Sequence, residues 1–76
     1  MGSPEIEELH KACVHRLKDL IAQANRTCSL LDSMTEFPIS VDTWLNAVEQ
    51  RVRENDAQAR YQEARERLFD AIRLQP

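Results

Sequence analysis

Glu36-Phe37-Pro38-Ile39-Ser40 lies at the middle of the 76-residue chain and contains its only strong internal helix break. Pro38 has no backbone N–H and disfavours the α-helical conformation at Phe37, so a helix from the N-terminal side should end just before it. Ser40 can then accept a hydrogen bond from the free N–H groups of a new helix, whose first turn holds Asp42, where the helix dipole favours a negative charge. The stretch predicts two antiparallel helices joined by a tight turn.

The residues before the turn predict one helix over about residues 4–35, with Ser3 as its cap and Pro4 in its first turn. Its apolar positions recur every three, four or seven residues, and His10 and Thr27 fill the gaps: Ile6, Cys13, Leu17, Leu20, Ala24, Leu31 and Met34. A second row beside this seam contains Val14, Ile21 and Cys28, and Leu9 widens the face. Because so broad a stripe contacts more than one neighbour, it predicts a bundle of three or four helices.

The residues after the turn contain no internal Gly or Pro and predict a second helix over about residues 41–74. The apolar residues of its first half are Val41, Leu45, Val48 and Val52, and those of its second half are Tyr61, Ala64, Leu68 and Ile72. At 100° per residue the two sets lie about 160–180° apart, so the apolar face changes sides. A break near Asn55 would give a three-helix bundle, whereas a straight helix would serve two different partners.

We favour the straight helix, because Asn and Asp interrupt helices less decisively than Gly or Pro. The first half would pack on the chain's own first helix and the second half on another copy, which gives an all-α, single-domain hairpin over residues 1–76 that dimerises into a four-helix bundle. The residues expected in that interface are Leu9, Val14, Ile21, Tyr61, Ala64, Leu68 and Ile72. Phe37, Pro38 and Trp44 are expected either to anchor a partner at the turn or to cover the end of the bundle.

Charge and hydropathy restrict the partners. The net charge of −3 argues against a general nucleic-acid or anionic-membrane binder. Arg53, Arg60 and Arg67 form one row, but each follows an acidic residue by four positions, which favours a solvated, ion-paired face over a nucleic-acid face. No apolar run reaches the roughly 18–20 residues of a membrane span, and the N-terminus lacks a signal-peptide pattern. We expect a cytoplasmic protein.

No set of residues with a recognisable catalytic pattern is present. His10 and Cys13 could supply two zinc ligands, but a zinc site needs more. Cys13 and Cys28 would lie about 22 Å apart along one helix, too far to bridge, and are expected to act as small buried apolar residues. We therefore expect neither enzymatic activity nor a cofactor.

The sequence favours a small protein–protein interaction module, acting as an adaptor, a regulator or a chaperone-like protein through self-association. Two alternatives remain at this point. One is an RNA- or DNA-binding hairpin dimer that uses the arginines of the second helix. The other is a small helical enzyme or metal site.

Overall fold

The computed structural model describes residues 4–35 and 37–75, which form two α-helices packed side by side in opposite directions. Helix α1 is Pro4–Ser33 and helix α2 is Val41–Arg73. The hairpin measures 58 × 15 × 13 Å, and no strand occurs in the described part of the chain. The predicted all-α hairpin is confirmed, with helix ends within two residues of those expected.

The start of α2 follows the predicted capping pattern. Ser40 has extended backbone angles (φ −65°, ψ 156°), its Oγ accepts a hydrogen bond from the Thr43 N–H at 3.2 Å, and its carbonyl oxygen accepts one from Trp44 at 2.9 Å. The side-chain bond satisfies an N–H group that a helix start otherwise leaves without a partner, and the bond from Trp44 is the first one of the helix itself. The predicted cap Ser3 and the turn residue Glu36 lie outside the described residues.

The side of α1 that faces α2 differs from the predicted seam by one row. The less exposed positions follow two rows of seven-residue spacing: Ile6, Cys13, Leu20, Thr27 and Met34 in one, and Leu9, Arg16, Gln23 and Leu30 in the other. Only the first row was expected there. Leu17, Ala24 and Leu31, assigned to the seam from their spacing, are exposed. The apolar face of α1 spans several neighbouring rows, so the spacing of its residues does not by itself show which of these rows contacts α2.

Helix α2 runs without a break through Asn55, as favoured, but its two halves face the opposite way from the prediction. Ala57 and Leu68 are buried, with 3% and 8% of their surface exposed, and Tyr61 and Ala64 are half-buried. The second half therefore packs on α1 of the same chain. In the first half, Val41, Leu45, Val48 and Val52 are exposed.

Polar residues account for this orientation. Gln50, only 7% exposed, donates from Nε2 to the backbone oxygen of Gln23 at 3.0 Å and to its Oε1 at 3.2 Å. Next to this pair, the Thr27 hydroxyl donates to Glu54 Oε2 at 2.6 Å. Each helix thus presents polar side chains that satisfy one another near the turn. The valines of α2 are left on its outside.

Candidate interaction surface

An apolar row runs along a side of α1 that α2 leaves largely uncovered in the described part of the chain. We call it the α1 outer stripe; it consists of Val14, Leu17, Ile21, Ala24, Cys28 and Leu31. Their spacing alternates between three and four residues, which keeps them on one side of the helix over about 26 Å. Ile21 is 50% exposed and Leu31 58%, whereas Val14 is half-buried. The stripe has the pattern of a coiled-coil seam, although no helix covers it here.

The stripe lies on the side of the hairpin away from the arginine row. Ala12 and Arg16 line a shallow depression together with Arg60 and Arg67, so these residues share one side. At 100° per residue, Leu17 points about 140° away from Ala12. The stripe and the arginines therefore present two different surfaces to solvent.

A smaller apolar group, the α2 outer patch, occupies the outside of α2 near the turn. It consists of Val41, Leu45, Val48 and Val52, of which Val41 is 72% exposed. The predicted anchors at this end of the molecule, Phe37, Pro38 and Trp44, are also exposed. The structure thus concentrates bulky apolar side chains at the turn.

The predicted interface residues divide between the inside and the outside of the hairpin. Val14 and Ile21 belong to the α1 outer stripe, and Ile72 is exposed near the end of α2. The remaining four lie on the surfaces where the two helices meet within the chain: Leu9, Tyr61, Ala64 and Leu68. The stripe also contains Leu17, Ala24, Cys28 and Leu31, whose regular spacing with Val14 and Ile21 was the signal that could have identified them as one row.

The arginine row is ion-paired along its length. Arg53 lies 3.0 Å from Glu49, Arg60 3.0 Å from Asp56, and Arg67 2.6 Å from Glu63, always between a guanidinium nitrogen and a carboxylate oxygen. All six side chains are more than half exposed, so each pair contributes only about 0.2–0.5 kcal/mol to helix stability. The acids also weaken the positive field that would attract a phosphate backbone.

The histidines and cysteines are dispersed. His10 and His15 are exposed on α1 and line a shallow depression with Lys11, Val14 and Lys18. Cys13 is half-buried against α2, whereas Cys28 is exposed, contrary to the expectation that it would be buried; both are free thiols. Among residues 4–35 and 37–75, no three His, Cys, Asp or Glu side chains lie close enough together to hold a metal ion.

Neither helix, over the residues described, combines the length and the apolar character needed to cross a bilayer. Comparison with known protein families, with curated proteins and with solved structures finds no match to this chain.

Proposed function

We propose that this chain is a small protein–protein interaction module that works as a self-associated helical hairpin, in the manner of an adaptor, a regulator or a chaperone-like protein. The observation that carries the proposal is the α1 outer stripe. Large exposed apolar surfaces with regular helical spacing mark protein contacts, because leaving them in water costs free energy. A second helix placed along the stripe would cover it in the geometry of a helical bundle.

The accessible surface of the chain supports self-association. It amounts to 6238 Å², whereas a compact monomer of the same 8.8 kDa mass exposes about 4,800 Å². The excess of about 1,400 Å² per chain is close to what each subunit of a permanent dimer contributes, since such interfaces bury about 2,000–5,000 Å² in total. Pairing two copies would therefore lower the accessible surface area of each chain to about that of a compact folded protein of the same mass.

The small apolar core of the single hairpin also supports self-association. Among the described residues, the only buried apolar side chains are Ala57 and Leu68, and Ala57 is small. A chain below about 80 residues rarely obtains more than about 3–5 kcal/mol from a core of its own. A second copy would add the missing apolar burial.

The molar mass in solution tests the proposal. At tens of micromolar, light scattering should give twice the 8.8 kDa of the chain. The Ile21→Glu substitution should shift the mass toward that of the monomer, because a carboxylate in the middle of the α1 outer stripe would be buried without a partner in the dimer.

The matched control is Ala22→Glu, which adds the same charge one position along, on an exposed part of α1 outside the stripe. That variant should keep the dimer mass. A monomeric wild-type protein would overturn the proposal, and so would an Ile21→Glu variant that remained as dimeric as the control.

A further inference from the structure

The α1 outer stripe differs in side-chain size between its two halves, and this difference bears on the direction in which a second helix would lie along it. The stripe contains the large residues Leu17 and Ile21 in its N-terminal half and the small residues Ala24 and Cys28 in the half that follows, which ends on Leu31. We infer that two copies of this chain pair antiparallel through their α1 outer stripes, with the two-fold axis between residues 22 and 23. This inference rests on the proposed function and specifies its interface.

In that register every residue of the stripe faces one residue of the second copy. Ile21 faces Ala24, Leu17 faces Cys28, and Val14 faces Leu31, and each pair occurs twice by symmetry. In the two central pairs a large side chain lies opposite a small one, which fills the space between two helices at native density. A parallel pairing would place Leu17 on Leu17 and Ala24 on Ala24, which leaves a gap at the alanine layer.

Charge complementarity supports the same direction. The row that borders the stripe on the side away from α2 is Lys11, Lys18, Asn25 and Asp32, basic at its beginning and acidic at its end. In the antiparallel arrangement Lys11 approaches Asp32 of the second copy, and Lys18 approaches Asn25. In a parallel pair the two copies of this row would lie on opposite sides of the interface, so the basic and acidic ends would not meet. The Lys11 Nζ already lies 3.7 Å from the Glu7 Oε1 of its own helix. Its attraction to Asp32 of the second copy is therefore secondary to the packing of the stripe.

Disulfide cross-linking tests whether the two α1 helices pair antiparallel or parallel. With Cys13 replaced by Ser, the Leu17→Cys variant keeps the native Cys28, and the antiparallel register places these two thiols opposite each other. A disulfide needs Cα atoms roughly 4.4–6.8 Å apart, which only facing positions of two packed helices approach. Mild oxidation should convert this variant to a covalent dimer on non-reducing gels.

Two single-thiol variants are the matched controls. The Cys13→Ser protein retains only Cys28, and the Cys13→Ser, Leu17→Cys, Cys28→Ser protein retains only the introduced thiol. In the antiparallel dimer, identical positions 17 or 28 lie about 16 Å apart along the axis, beyond disulfide reach, so neither control should cross-link. A second pair, Val14→Cys with Leu31→Cys in a chain with both native cysteines replaced by Ser, should cross-link as well, and circular dichroism verifies that each variant is helical.

The possible outcomes separate the inference from the proposed function. Efficient cross-linking of either single-thiol control would show a parallel interface and overturn the inference, while the module would still self-associate. A dimer mass with no cross-link in either two-position variant would place the contact elsewhere and would also overturn it. A monomer mass for the wild-type protein would overturn both.

Discussion

At the scale of single residues, the polar cluster Gln23, Thr27, Gln50 and Glu54 decides how the two helices meet near the turn. The side chain of Gln50 is nearly buried, and its amide donates to two oxygens of Gln23. A buried amide left without these bonds would lose the solvation it had in water, so the cluster is stable only when both helices are in register. The four residues thus favour one alignment of α1 and α2.

Replacing Gln50 with Ala should lower the free energy of unfolding by about 1–3 kcal/mol, because the amide is lost from a packed site and Gln23 loses its donor. Urea denaturation at a fixed protein concentration measures this change. The control is Gln58→Ala, an exposed glutamine on the same helix, which should change the stability by less than about 0.5 kcal/mol. Equal effects of the two substitutions would show that the Gln50 hydrogen bonds do not stabilise the hairpin.

At the scale of elements, the two helices differ in how their sequences determine them. The start of α2 is fixed locally, since Ser40 caps it and Asp42 lies in its first turn. Ion pairs between residues four positions apart, such as Glu49 with Arg53, stabilise the exposed side of α2. By contrast, the surface of α1 is dominated by apolar residues on two sides, one covered by α2 and one open. Helix α1 therefore depends more on contacts with its surroundings.

The Ser40→Ala substitution should destabilise the protein by about 1 kcal/mol, because the Thr43 N–H loses its acceptor at the helix start. Thermal denaturation followed by circular dichroism at one protein concentration provides the measurement. As a comparison, Ser29→Ala changes an exposed serine inside α1 and should leave stability the same or slightly higher, because Ala favours the helix interior. A cap variant as stable as this comparison would contradict the role of Ser40.

At the scale of the whole molecule, the hairpin is long and thin. Its radius of gyration is 17.3 Å, whereas a compact domain of 76 residues has about 11 Å. A shape this extended gives each helix one neighbour along its length and leaves the α1 outer stripe and the α2 outer patch in water. A bundle of two hairpins would be thicker and would bury apolar surface that the single hairpin exposes.

If the folded unit is a dimer, its stability should depend on protein concentration. Each tenfold increase in concentration should raise the apparent stability of the dimer by about 1.4 kcal/mol, because association and folding are linked by mass action. Denaturation curves recorded over a hundredfold range of concentration should therefore move to higher midpoints. Superimposable curves would indicate that the monomer folds on its own.

The sequence alone was enough to predict both helices, the turn between them and the Ser40 cap, because each depends on residues close together in the chain: Pro38 lacks a backbone N–H, and Ser40 offers an acceptor to the next turn. It was also enough to predict that the arginine row would pair with its acids, since four-residue spacing brings such pairs together in any α-helix. These are local consequences of helix geometry.

The tertiary structure decided which faces meet. Periodicity showed that the apolar face of α2 changes sides, but it could not say which half packs on α1, because either half offers apolar residues at helical spacing. The choice depends on Gln50 and Glu54 meeting Gln23 and Thr27, partners 27 positions away in the chain. Pairing these polar groups turns the valines of α2 outward and leaves Leu17 and Ile21 exposed on α1. Such long-range pairing depends on both helices together, so neither segment of the sequence specifies it alone.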